Sequence, residues 1–321
     1  MRVLLWHVHG SWTTSFVQGR HEYVLPLLPD RGPDGRGRAR TWEWPDSARE
    51  VPHDRLRAED VDVVVLQRPH EERLVREWLG RVPGRDLPAV FVEHNTPQGD
   101  VPQTRHPVAD RPDLLLAHVT GFNDLFWDAG STPTTVVEHG VVDPGHRYTG
   151  LEQRAAVVVN EPVRRGRVTG TDLLPALAGA APLDVFGMGV AALPGHLGLD
   201  ASHLRVFEDL PQDAMHEALA RRRVYVHPVR WTSLGLSLLE AMHLGMPVVA
   251  LATTEAVEAV PPEAGVVTTR VDAAADAVRG FLADPGRAGQ VGKAARDAAL
   301  GRYGLGRFLS DWDRVLTGVT R

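Results

Sequence analysis

The chain contains no cysteine, which excludes a disulfide framework, thiolate metal sites and a cysteine nucleophile, and suits a reducing compartment. No stretch approaches the ~20 uninterrupted apolar residues of a membrane helix. The N-terminal run MRVLLWHVHG is too short for a secretory h-region or a span. A basic surplus is missing as well: the formal charge is −6 at pH 7, which argues against nonspecific binding to nucleic acid or anionic membranes. Low-complexity tracts and short repeats are also absent. These absences lead to the expectation of a soluble, cytoplasmic protein without an integral membrane segment or a nucleic-acid partner. With 321 residues, 43% hydrophobic and 24% charged, the chain has a globular composition and exceeds the usual reach of one core, so two domains of about 150 residues are expected.

Along the chain, strand-like runs alternate with helical patterns, as in a parallel α/β sheet. The first half reads as strands over 2–8, 62–67, 89–93, 114–119 and 135–138, with a polar aromatic loop HGSWTTSFVQG and a helix over 21–28 after the first strand. The second half restarts with strands over 155–160, 183–186, 203–207, 224–227, 248–251 and 265–267, and a helix near 172–177. A Gly/Pro turn cluster at 144–152 separates the two series. The expected domains are 1–147 and 148–305, two successive Rossmann-like units. The run Arg221 to Arg223 is read as the end of the helix PQDAMHEALA, complementing its dipole.

The stretch WTSLGLSLLEAMHLGMPVV, from Trp231 to Val249, is the most specific. Thr232, Ser233 and Gly235 form a turn after a strand, Ser237 and Glu240 read as an S-x-x-E capping box, and Leu236, Leu239 and Leu244 have helical spacing. A helix is expected from about Leu236 to Gly245, with Pro247 preventing its resumption. Read alone, this is an ordinary helix cap in an α/β core. At the carboxyl edge of a parallel sheet, however, the first N–H groups of such a helix favour a phosphate. Glu240 shares the helix face of Leu236 and His243, and a carboxylate on a mostly apolar face requires a partner. Ribose hydroxyls would supply one.

The segment T-S-L-G-L-S-L-L-E-A-M-H-L-G-M-P-V-V, 232–249, resembles the signature E-G-F-G-L-x-x-x-E-A-M-A-x-G-x-P-V-V of the retaining glycosyltransferases of family 4. Those enzymes have the GT-B fold, two Rossmann-like domains facing across a cleft. LDVFGMG matches the family's I-x-G-x-G strand end, and VVEHGVVDPG takes the place of its V-I-P-N-G-V-D segment, with His139 where asparagine is usual. The resemblance implies an EC 2.4 enzyme that takes a nucleotide-diphosphate sugar donor and transfers the sugar to a small-molecule or glycan acceptor. It further implies that a C-terminal helix over 306–321 packs back on the first domain, which binds the acceptor, while the second binds the donor. The family works without a divalent metal, so neither a cofactor nor a metal is expected.

Residue by residue, the resemblance assigns the nucleotide and diphosphate to Gly187, Ser233, Leu234, Gly235 and Leu236, and the ribose hydroxyls to Glu240. Thr232 stands where the family has the glutamate that contacts the donor sugar. The diphosphate loop G-R-L-x-x-x-K-G is matched by NEPVRRGRVTG, with Thr169 in place of the lysine; Arg164, Arg165 and Arg167 can each offer bidentate phosphate contacts. His94 falls where a histidine faces the donor sugar, so His94 and Thr232 are the expected catalytic residues. Gly10 and Gly19 lie where the family has a glycine-rich loop near donor and acceptor, without its Gly-Gly pair, and are assigned to the acceptor side with Trp12; Trp12, Phe16 and Tyr23 either stack on an acceptor ring or cover the core. His7 and His9, on one side of an extended strand, would offer only two metal ligands. Alternatives are a noncatalytic GT-B auxiliary protein, on account of Thr232 and Thr169, and a GT-B sugar-nucleotide epimerase, for which no acid-base carboxylate pair is evident. An oxidoreductase would need a G-x-G-x-x-G after the first strand, which is absent.

Overall fold

The computed structural model describes residues 1–321 and divides into two compact units. Unit 1 comprises Met1–Val142 and Leu305–Arg321, and unit 2 comprises Asp143–Gly304.

Unit 1 is built on seven strands: β1 (Arg2–Leu5), β2 (Glu22–Leu27), β3 (Ala48–Pro52), β4 (Val63–Leu66), β5 (Ala89–Glu93), β6 (Leu115–His118) and β7 (Thr134–Val136). They form one parallel sheet in the order β3-β2-β1-β4-β5-β6-β7. The helices are α1 (Gly10–Phe16), α2 (Glu71–Trp78), α3 (Gly121–Phe126) and α12 (Leu305–Val319), the last coming from the C-terminus. On α12, Phe308, Trp312 and Leu316 recur every four residues and are buried; the Trp312 ring lies 5.6 Å from that of Trp12 and 5.1 Å from that of Phe16. The segment expected as a helix over 21–28 is instead β2. Four consecutive buried residues, Tyr23 to Pro26, belong to a strand covered on both faces, whose sequence lacks the alternation that marks a half-exposed strand.

Unit 2 carries β8 (Glu152–Val158), β9 (Leu183–Gly187), β10 (Leu204–Glu208), β11 (Arg222–His227), β12 (Val248–Leu251) and β13 (Gly265–Thr268), parallel in the order β10-β9-β8-β11-β12-β13. Its helices are α4 (Pro162–Arg165), α5 (Leu174–Ala178), α6 (Leu193–Leu197), α7 (Gln212–Ala220), α8 (Leu236–Leu244), α9 (Ala256–Ala259), α10 (Val271–Ala283) and α11 (Pro285–Tyr303). Alanines 288, 295 and 299 and Gly292 of α11 are buried, and a Cβ at Gly292 would overlap the backbone of Gly245 at the end of α8. Of the arginine run, only Arg221 ends α7; Arg222 and Arg223 open β11 and are buried. Arg222 and Arg154 flank the buried Asp184, each at hydrogen-bond distance from a different carboxylate oxygen, and Arg223 donates to the carbonyls of Gly150 and Leu282. Specific acceptors, which the sequence does not display, claim these two arginines.

Both sheets reverse their strand order once, between β1 and β4 in unit 1 and between β8 and β11 in unit 2. The loops leaving the carboxyl ends of such strand pairs enclose the crevice in which doubly wound sheets bind ligands. No helix is long and apolar enough to cross a membrane.

Candidate functional site

At the unit 2 switch point, the loop after β8 and the loop after β11 are joined directly: Arg230 N donates to Val168 O at 2.9 Å, and the Arg230 guanidinium pairs with Asp172. The chain then turns through Trp231 to Gly235 and enters α8. Ser233 and Leu234 are buried, Thr232 and Gly235 half-buried, and the Ser233 carbonyl accepts a bond from Glu255 N at 3.3 Å. Gly235 is the N-cap of α8, and no side chain caps the helix. The expected capping box does not form. Ser237 is the second helical residue, and its Oγ is 3.0 Å from the Tyr225 hydroxyl, which donates to it.

Gly235 seats this turn directly on His227 at the end of β11, where a Cβ would overlap the imidazole and lie 2.9 Å from its Nε2. His227 is buried, and burial lowers its pKa to about 4, so a neutral ring supports the helix start. Two strands away, on the other side of β8, β9 ends at Gly187, whose φ of +139° suits only glycine and whose Cβ would overlap the Val159 carbonyl. The Asn160 side chain accepts from Met188 N at 2.9 Å and fixes the Gly187-Met188-Gly189 turn.

The three loop arginines differ in their engagement. Arg167 pairs with Asp172 at 2.8 Å, and Arg164 is exposed with Nε 3.7 Å from Glu161. Arg165 is half-buried and forms no ion pair; burial, then the neighbouring Arg164, lowers its pKa. Thr169, in the place of the family lysine, is buried, its hydroxyl bonded to Gly166 O and Thr171.

Glu240 is buried in the middle of α8. It has partners within the protein that sequence reasoning did not identify: Gln212 Nε2 lies 3.0 Å and His216 Nε2 3.6 Å from its Oε2. The visible signal was the i, i+4 spacing of Gln212 and His216 on α7.

In unit 1 the chemistry gathers at the carboxyl edge of the sheet. His94 follows β5, and its ring lies 4.0 Å from that of His9 and 5.0 Å from that of Trp12. Its buried Nε2 has no hydrogen-bond partner. Burial, then His9 and His139, holds the His94 pKa well below the ordinary histidine value. His9 is lowered to about 4 and His139 to about 3, in both cases chiefly by burial. The expectation that His7 and His9 share one side of a strand is corrected, because β1 ends at Leu5. His7 bonds Gly37 O at 3.2 Å and packs on Trp44, whereas His9 turns to His94. Trp12 lies on α1 with no exposure, stacked on Phe16 at 4.8 Å, and Phe16 and Tyr23 are buried beside it, so these rings form core rather than an acceptor platform. Gly10 opens α1, and Gly19 packs against the Tyr23 hydroxyl.

A family model described as "Glycosyl transferases group 1" matches residues 197–298, about a third of the chain and wholly within unit 2. No curated protein matches the sequence significantly. Among solved structures, the chain is similar to a sucrose-phosphate synthase from Thermosynechococcus elongatus, with 13% identity, a TM-score of 0.75 and 99% of each chain covered. It is also similar to Anabaena HepE in complex with UDP, with 12% identity, a TM-score of 0.71 and coverage of 99% of this chain and 100% of that one. A glycosyltransferase from Rickettsia africae aligns at 11% identity and a TM-score of 0.68, covering 100% and 98%. The chain thus has the GT-B fold of two parallel-sheet, Rossmann-like units and carries a glycosyl transferases group 1 domain in the second.

Proposed function

We propose that the protein is a nucleotide-sugar-dependent glycosyltransferase that moves a sugar from a nucleoside-diphosphate donor to an acceptor hydroxyl with retention of anomeric configuration. The observation that carries this reading is the start of α8: a nine-residue helix without a side-chain cap, entered through Gly235 over the neutral His227 at a sheet switch point. Its first N–H groups and positive dipole end suit a diphosphate. Arg165 is half-buried and, unlike Arg164 and Arg167, is not engaged by a carboxylate, so it is the arginine assigned to the same group. Glu240 holds the ribose hydroxyls. HepE, of the same fold, forms complexes with UDP and with UDP-glucose, which supports a nucleotide-sugar donor here.

Chemically, the protein supplies charge stabilisation and needs no nucleophile of its own. As the bond from the anomeric carbon to the diphosphate oxygen breaks, negative charge grows on the leaving group, where the helix start and Arg165 oppose it. The acceptor hydroxyl attacks from the same face, and the leaving phosphate takes its proton. His94 meets the sugar and Thr232 offers it a hydroxyl. No divalent metal is required. Unit 1, with Gly10 and Gly19, serves the acceptor.

Transfer with a panel of nucleotide sugars and glycan or small-molecule acceptors tests the reading, and the anomeric coupling constant of the product reports retention. Tight diphosphate binding without turnover on any pair would favour the second reading, a noncatalytic GT-B binding protein, which Thr232 and Thr169 support by replacing two charged residues of the family pattern. Release, without an acceptor, of free sugar inverted at a ring carbon would favour an epimerase.

A further inference from the structure

Gln212 opens α7 and His216 follows one turn later, so both reach the same neighbour on α8. Gln212 Nε2 stands 3.0 Å from Glu240 Oε2 and 2.8 Å from His216 Nε2. An amide nitrogen has two protons and accepts nothing, so it donates to both. With the amide in this orientation, His216 Nε2 is the acceptor of the second amide proton. Reversing the amide would set its oxygen against a carboxylate oxygen at 3.0 Å, a repulsive arrangement that fixes the orientation. His216 and Glu240 are buried, so the chain from imidazole to amide to carboxylate is shielded from solvent where it meets Glu240.

We propose that Gln212 and His216 are positioning residues that hold Glu240 Oε2 and thereby aim the carboxylate at the ribose of the donor, making the site selective for ribonucleotides over 2′-deoxyribonucleotides. This rests on the reading of Glu240 as the ribose-binding residue. A carboxylate tethered at one oxygen has a fixed plane and loses little freedom when a hydroxyl binds. A carboxylate that lacks this bond is held less firmly and must be ordered further by the ligand itself. His216 acts at one remove, by accepting the second amide proton so that the first stays directed at Oε2.

The test is calorimetry with UDP, GDP and ADP and their 2′-deoxy counterparts, using the tightest-binding base. A charge-assisted hydrogen bond to a hydroxyl corresponds to about tenfold or more in affinity, so the parent should prefer the ribo form by at least that factor. In Gln212→Leu the ribo form should weaken about tenfold while the deoxy form changes little, and the preference should collapse. His216→Phe should follow it. His216→Gln places an amide oxygen near the Nε2 position and should restore the preference. Equal weakening of both forms by Gln212→Leu, or no weakening of either, would overturn the proposal, as would failure of His216→Gln to differ from His216→Phe. Glu240→Gln separates the two levels. If it leaves the ribo preference intact, the ribose reading itself fails; if it abolishes the preference while Gln212→Leu retains it, only the positioning role fails.

Discussion

Gly235 and His227 are in mutual contact without room for a side chain: the N-cap of α8 rests on the imidazole at the end of β11, and any Cβ at Gly235 would overlap that ring. Because φ at Gly235 is −71°, glycine is required there for space and not for backbone conformation. The start of the helix is therefore set by a buried neutral histidine.

Gly235→Ala should force the ring or the helix start to move, at a cost of about 1–3 kcal/mol for overpacking, and should lower the melting temperature by several degrees. Diphosphate affinity should fall with it, because the N–H groups shift from their seat. Differential scanning fluorimetry and calorimetry read the two effects, and a variant with parental Tm and parental affinity would contradict the packing argument.

Asp184 is fully buried between Arg154, 2.5 Å away, and Arg222, 2.7 Å away. Asp184→Asn leaves two poorly solvated guanidinium groups with only Glu152, 3.7 Å from Arg222, to balance them. A loss of about 3–5 kcal/mol is expected for breaking a buried ion pair from one side, read by urea denaturation. A change below 1 kcal/mol would show that the arginines find water or Glu152 instead.

The imidazoles of unit 1 make stability depend on pH. His9 and His139, with pKa values of about 4 and about 3 in the folded chain against 6.5 for the free group, stay neutral where the unfolded chain binds protons. Stability should therefore decline as pH falls through 6.5 and continue to decline until those lower values are reached, by about 1.4 kcal/mol per pH unit for each such group. Glu93 opposes this at His9, whereas Arg68 reinforces it there, and His9 and then Arg307 reinforce it at His139. In His139→Asn the decline between pH 6 and 4 should be shallower by one proton; parallel curves for parent and variant would remove His139 from the account.

His94→Ala should reduce turnover by more than it reduces nucleotide affinity, since the proposed contact is with the sugar at the reacting centre. Steady-state kinetics beside diphosphate calorimetry separates the two, and equal turnover in parent and variant would leave His94 a structural residue.

Thr232→Ala should slow transfer or alter donor preference if the hydroxyl meets the sugar, because a partner is left unbonded. A donor panel with parent, Thr232→Ala and Thr232→Glu decides this. Activity indifferent to the alanine would take Thr232 out of the site and leave the transferase assignment standing.

The sequence alone determined the alternation of strand and helix, the restart of the pattern midway, and the turn and helix from Trp231 to Gly245, because turn residues, helical spacing and short apolar runs are local properties written within a few positions of one another. It misjudged β2, since a strand buried on both faces carries no alternation, and it missed β3, whose pairing partner, β2, lies more than twenty residues earlier in the chain. Only the tertiary structure decided which charges are engaged. Arg222 and Arg223 read as one basic run with Arg221 until Asp184 and the carbonyls of Gly150 and Leu282 claimed them, and Arg165 differs from Arg164 and Arg167 only in what lies around it. The partners of Glu240 come from another helix 28 and 24 residues earlier in the chain, and the seat of Gly235 is a strand-end histidine. Hydrogen bonds and van der Waals contact act over a few ångströms in space, and residues that distant in sequence acquire such neighbours only when the sheet brings its carboxyl-end loops together.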